Sequence, residues 1–305
     1  MNWSAATGIA LGFIADQLLG DPVRGHPVAI FGNGAAKLEK LTYADSKAAG
    51  VYHEVILVGG AVAVGILANY PKNNLIRVFN TAAATFFVLG GTTLGSEAEA
   101  VSEKLASQDL IAARKQVARI VGRNTTELDE TEIARAAVET VAENTSDAVV
   151  APLFWGTICG IPGLIGYRAI NTMDAMVGYP NSRYRNFGWA AAKLDDLANW
   201  LPARLTAGLT VLAHRKKASQ IWKIIRRDAS KHPSPNAGQV ESAFAGALDL
   251  QLGGANNYGG EVEERGHLGD GHSPTAVDIS RAVQLSKQLG VMSVALAITG
   301  SLLRR

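Results

Sequence analysis

Apolar runs near residues 4–19, 51–69, 75–95, 148–170, 201–213 and 289–303 alternate with polar stretches at 96–147, 171–200 and 214–288. The pattern predicts an all-α chain: a polytopic α-helical membrane protein with re-entrant or short apolar segments and cytoplasmic polar loops, built as one integral-membrane domain over residues 1–305. Residues 51–69 and 75–95 are the clearest spans, and Tyr70-Pro71-Lys72-Asn73-Asn74 joins them as a hairpin. Residues 4–19 are just long enough to embed and lead into a rigid polar turn carrying Asp21, Arg24 and His26. Residues 37–47 predict a basic cytoplasmic connection, and residues 96–123 a single amphipathic helix with Arg114, Lys115, Arg119 and Arg123. Asp129 followed by Glu132 marks a helix start. Further on, 193–200 predicts a helix, 232–273 an irregular loop able to close over a ligand, and 276–288 a helix before the last apolar segment.

The run at 148–170 is the unusual one. Asn144-Thr145-Ser146-Asp147 and Asn171-Thr172-Met173-Asp174 repeat one pattern at its two ends, and Gly160-Ile161-Pro162-Gly163 lies midway. A straight helix would hold the two patterns roughly 40 Å apart. Folding back at the Gly-Pro turn brings them together, with arms of about a dozen residues, short of the roughly 20 that a crossing takes. A spanning helix with Pro kinks is the alternative. Residues 96–123 and 214–231 are both basic and both predict the cytoplasmic side, so the number of crossings between them is even. The insert and 201–213 then either both cross or neither does, and we expect neither. In the resulting four-span arrangement Arg304-Arg305 falls outside, against the charge rule.

Composition supports a membrane protein with substantial polar segments: 48% of residues are hydrophobic, 18% are charged and glycine occurs 32 times. A net charge of +2 without a basic, aromatic-interleaved stripe argues against nucleic acid. A single cysteine, Cys159, excludes a disulfide framework and a cysteine metal cluster. Neither a phosphate loop nor a zinc motif is present, and Gly32-Asn33-Gly34 is not a dinucleotide fingerprint.

The candidate chemistry therefore rests on residues 139–200. Glu139, Glu143, Asn144, Asp147, Asn171, Asp174, Asp195, Asp196 and Asn199 gather there with Arg168, Arg183 and Arg185. Burying an unpaired charge costs several kcal/mol, so an ordinary core does not need this set; a site for a charged substrate does. Arg135, Glu139 and Glu143 share a helix face, either as a surface ion-pair ladder or as one wall of the site. Asp195, Asp196 and Asn199 suit magnesium, and Arg183 with Arg185, beside Tyr184, suits a phosphate. In the later loop Ser234, Asn236, Glu241 and Tyr258 are the best ligand contacts. Read from this pattern alone, a magnesium-dependent prenyl or alcohol-diphosphate transferase stays open, beside a non-catalytic membrane subunit that binds a ligand or scaffolds a complex.

Several stretches together resemble the adenosylcobinamide-phosphate synthase family (CbiB/CobD). They are Leu19-Gly20-Asp21-Pro22 with His26-Pro27, Val138-Glu139-Thr140-Val141-Ala142-Glu143-Asn144-Thr145-Ser146-Asp147, Asn171-Thr172-Met173-Asp174, and Arg183-Tyr184-Arg185-Asn186-Phe187-Gly188-Trp189. Leu194-Asp195-Asp196-Leu197-Ala198-Asn199-Trp200, Pro233-Ser234-Pro235-Asn236 and Gln251-Leu252-Gly253-Gly254 extend the likeness over nearly the whole chain. The resemblance implies a multi-pass enzyme of cobalamin biosynthesis in the cell membrane, with its active site on the cytoplasmic side. Such an enzyme joins adenosylcobyric acid to (R)-1-amino-2-propanol or its O-phosphate through an amide and consumes ATP. The corrinoid is then substrate, ATP and Mg2+ are required, the lipid bilayer is a partner, and a homo-oligomer is left open. On that expectation Asp147, Asp174, Asp195 and Asp196, with Asn144, Asn171 and Asn199, hold magnesium-ATP. Arg183, Tyr184 and Arg185 bind phosphate, Glu139 or Glu143 deprotonates the attacking ammonium, and Asp21, His26, Ser234 and Asn236 contact substrate.

Overall fold

The computed structural model describes residues 3–22, 24–258 and 261–304, the side chains of residues 255–265 lying outside that description. In chain order the elements are α1 (Trp3–Leu19), α2 (Pro27–Thr42), α3 (Lys47–Asn69), α4 (Asn74–Val88), α5 (Gly91–Ala106), α6 (Leu110–Val117) and α7 (Glu130–Thr145). There follow α8 (Ala151–Cys159), α9 (Ile161–Met173), α10 (Trp189–Ala213), α11 (Ala218–Asp228), α12 (Ala237–Leu248), the hairpin β1 (Leu252–Tyr258) and β2 (Glu261–Leu268), and α13 (Ala276–Leu303). The fold is all-α apart from that antiparallel hairpin. Three helical runs among the described residues are long and apolar enough to cross a membrane: Lys47–Asn69, Asn74–Ala106 and Ala276–Leu303. The 17-residue α1 is not among them.

The chain divides into two compact units, Met1–Gly90 with Asp147–Asn199 and Ser293–Arg305, and Gly91–Ser146 with Trp200–Met292. In the first unit small residues let helix backbones approach closely. A Cβ at Gly12 of α1 would stand 2.5 Å from Thr85 of α4, and one at Gly65 of α3 would stand 2.6 Å from Pro162 of α9. The insert folds back, as the hairpin expectation requires. Gly160, at φ 71°, separates α8 from α9, and Ala151 packs with Tyr167 across the turn. A straight spanning helix is excluded. The Trp155 indole donates to the Ala198 carbonyl at 3.0 Å and ties the hairpin to α10.

The second unit holds the largest core, in which Ile133 and Val141 of α7 meet Phe244 and Leu248 of α12. Asp129 and Glu132 form the expected capping box. Four local expectations are corrected. The stretch at 96–123 is not one helix: Gln108 takes φ 58° and the Asp109 side chain caps α6. Residues 37–47 belong largely to α2, which starts on Pro27 with His26 as its cap. The supposed loop at 232–273 contains the buried helix α12 and the β1–β2 hairpin. The apolar stretch 201–213 continues the 193–200 helix as α10, straight through Pro202.

Candidate functional site

Within the first unit a short chain of hydrogen bonds fixes one carboxylate. Asp195 and Asn199 stand four apart on one face of α10, and Tyr167 and Asn171 stand four apart on α9. The Tyr167 hydroxyl donates to Asn199 Oδ1 at 2.8 Å, and Asn199 Nδ2 donates to Asp195 Oδ2 at 3.0 Å. Asn171 Nδ2 reaches Asp195 Oδ1 at 3.5 Å. Both of these side chains are neutral amides. Burial pushes the Asp195 carboxyl up to about 6, against the pull of the two amides and with help from the Asp196 charge.

More charge surrounds it. Glu54 of α3 lies within electrostatic reach of Asp174 and Asp195, Tyr167 within reach of Asp147 and Asp195, and Arg168 within reach of Asp21 and Asp147. Asp147 and Asp174 both sit in π-helical turns, Ser146–Val150 and Asp174–Gly178, so the repeated Asn-Thr-x-Asp pattern runs into the same backbone distortion twice. Such turns recur at functional sites because they re-aim side chains that a regular helix would carry past. At the second turn glycine is needed for space: a Cβ on Gly178 would stand 1.9 Å from Asp174 Oδ1.

The donor set fits magnesium bound together with phosphate. Among the described residues no three His, Cys, Asp or Glu side chains converge as a metal cage. Magnesium bound to a nucleotide takes only one or two carboxylates and completes its shell with phosphate and water. Arg168 Nε and Glu54 Oε1 are buried atoms with no hydrogen-bond partner, one of them a donor suited to a phosphate oxygen.

Other expected residues go elsewhere. Glu139 is buried in the second unit, accepting from Arg123 at 3.0 Å and from the Gly253 N–H at 2.9 Å, with Arg135 at 4.0 Å. These contacts tie the carboxylate to two arginines and to the strand that begins at Leu252. Glu143, Asn144 and Glu241 line a cavity of about 110 Å³ in the same unit. Asn144 donates to the Thr140 carbonyl, and Glu241 lies 3.6 Å from His232. The Ser234 hydroxyl accepts from the Ala237 N–H at 3.2 Å, and Asn236 Oδ1 faces Arg204 at 3.5 Å. Arg183 and Tyr184 turn to Glu39 of α2, at 2.7 and 3.2 Å, and Arg185 is exposed. Asp196 pairs with Lys193 at 3.3 Å and Asp21 with His26 at 3.5 Å. The Tyr258 side chain lies outside the described residues.

Sequence reasoning missed Glu54, Tyr167 and the anchoring role of Glu39. Glu54 carried a usable signal, since a carboxylate inside an apolar span is expensive and marks a functional position.

A family model described as "CobD/Cbib protein" matches residues 9–286. A Mycobacterium tuberculosis protein named "Cobalamin biosynthesis protein CobD" is 46% identical, the match covering 96% of this chain and 95% of that one. Proteins of the same name from Chromobacterium violaceum and Halalkalibacterium halodurans are 41% and 42% identical. Those matches cover 98% of both chains and 91% and 90%, respectively. No solved structure matches this chain.

Proposed function

Because this chain belongs to the CobD/CbiB family of cobalamin biosynthesis proteins, we propose that it is the ATP-dependent ligase joining adenosylcobyric acid to (R)-1-amino-2-propanol or its O-phosphate. The observation that carries the proposal is Asp195, a carboxylate held by two amides within electrostatic reach of Glu54, with Asp174 in reach of Glu54 and Asp147 in reach of Tyr167 and Arg168. That set suits a magnesium-bound polyphosphate better than a structural core. Magnesium-ATP, when bound, supplies the phosphoryl group that turns a substrate carboxylate oxygen into a leaving group.

Asp195 and Asp174 would hold the metal, and Asn171 and Asn199 would keep the Asp195 oxygens aimed. The Arg168 guanidinium would bind phosphate oxygens as charge develops. In the second unit the cavity at Glu143 and Glu241 offers carboxylates to an ammonium group, with Glu143 the accessible one to take its proton. Amide formation then releases phosphate with the former carboxylate oxygen, and the amine nitrogen gives up its protons. We place the enzyme in the cell membrane as a multi-pass protein, with the site on the cytoplasmic side where ATP is.

The test is to purify the chain in detergent and supply adenosylcobyric acid, magnesium-ATP and either amine, following products by mass. The proposal expects an amide that forms only with ATP, and the preferred amine reports whether a phosphate is recognised. Corrinoid retained without any product rejects it in favour of a binding subunit. Diphosphate release from an alcohol diphosphate without ATP favours the transferase reading, to which Asn171 opposite Asp195 lends some support.

A further inference from the structure

The first unit contains a second polar cavity, of about 210 Å³, at the helix ends remote from chemistry assigned above. Asn69, Arg77, Thr81, Gly160, Ile161 and Arg304 line it. Among the described residues no Asp or Glu shares the lining, and neither arginine has an ion pair. Arg304 only touches the Thr157 carbonyl, at 3.4 Å. The lining also includes the start of α9, whose cap position Gly160 makes no side-chain hydrogen bond, so the positive end of that helix adds to the two guanidiniums. Everything charged in the cavity therefore attracts an anion.

Its depth argues for a particular one. Asn69 closes α3 and Arg77 stands in the first turn of α4, at the ends of two apolar runs, Lys47–Asn69 and Asn74–Ala106, long enough to cross a bilayer. Trp3 and Tyr70, at the same ends of α1 and α3, are 49% and 82% exposed, as aromatics are where a protein meets the headgroup layer. Ala5 and Ile9 give the cavity an apolar wall, and Leu67 and Leu75 present exposed apolar surface nearby along the chain. A free phosphate would use the arginines and leave the apolar wall unused; a phospholipid uses both.

We propose that Arg77 and Arg304 form a binding site for the phosphate of an anionic phospholipid, whose acyl chains run along α3 and α4. The site rests on the reading that these helices cross a bilayer and is independent of the ligase chemistry. It gives Arg304 a ligand on the side where the charge rule disfavours it.

To test this, the full-length chain is placed in nanodiscs of phosphatidylcholine with or without phosphatidylglycerol. Retained lipid is counted by native mass spectrometry and thermal unfolding is recorded. We expect phosphatidylglycerol to be retained selectively and to raise the melting temperature. Arg77→Gln and Arg304→Gln should each weaken retention about fivefold. Arg304 lies at the exposed end of α13, so Arg304→Gln alone decides the matter if Arg77→Gln does not fold. Equal retention by wild type and Arg304→Gln overturns the proposal. So does inorganic phosphate giving the same stabilisation in phosphatidylcholine alone. Extraction of the chain from membranes without detergent would remove the bilayer premise while leaving the ligase assay untouched.

Discussion

Asp195 in the first unit and Asp228 in the second are both shielded carboxylates, and their neighbours treat them in opposite ways. Asp228 is wholly enclosed, yet Arg227 and Lys231 each bond it at 2.6 Å and the Gly269 N–H at 2.9 Å. Burial alone would raise its carboxyl; these donors outweigh it and hold the group below the ordinary carboxylate range. Asp195 has amides where Asp228 has cations, and burial wins. A charge that serves structure is neutralised on the spot. A charge left with neutral partners keeps its appetite for a cation, and that separates a site from a scaffold when both are buried.

Substitution of each carboxylate should split activity from stability. Asp195→Asn is expected to lower ATP-dependent amide formation at least about 100-fold, measured by product mass, while the purified chain keeps its helical circular dichroism. Near-normal turnover would erase the contrast. Asp228→Asn should do the reverse and destabilise the chain by about 3 kcal/mol in a denaturant titration, because it uncouples a buried ion-pair knot, with turnover per folded molecule retained.

Acidity sharpens the same contrast. The folded Asp195 pKa, about 6, stands above its reference value of 3.8, so the native state holds the extra proton between these values. Its contribution to stability therefore falls as pH rises from about 4 to about 6 and then levels off. Asp228, with its pKa lowered, contributes stability above its unfolded value that is lost as pH falls below it. Melting curves across this range should show the high-pH loss vanish in Asp195→Asn and persist in Asp228→Asn. The smallest effect is expected from Gly178→Ala, whose Cβ must displace the Asp174 carboxylate. Turnover should drop about tenfold with little change in melting temperature.

The hydrophobic pattern made the helical class legible, and Gly160-Ile161-Pro162-Gly163 in the middle of an apolar run signalled the hairpin without excluding a kinked spanning helix. It also placed Asp195 and Asn199 together, since spacing of four residues puts side chains on one helix face whatever the tertiary fold. Glu54 stayed hidden because it was absorbed into a helix judged by its apolar majority. The bonds of Arg183 and Tyr184 to Glu39 stayed hidden because Glu39 is more than a hundred residues away in sequence. Helix α12 escaped because it packs through small residues: a Cβ on Gly246 would already be 3.0 Å from the Ile221 Cα. Gly253, Gly254 and Asn257 signalled turns where the backbone forms a strand pair.

The two π turns were equally invisible, since they are a matter of hydrogen-bond register and not of side-chain type, and they make chain length a functional variable. Each turn accommodates one residue more than a regular helix, and one residue corresponds to roughly 100° of rotation. Deleting Ala148 would let the backbone heal into ordinary α-helix and remove the widened turn that aims Asp147, while Trp155 stays on the Ala198 carbonyl. A deletion that would rotate everything beyond it in a regular helix would here change only the aim of one carboxylate.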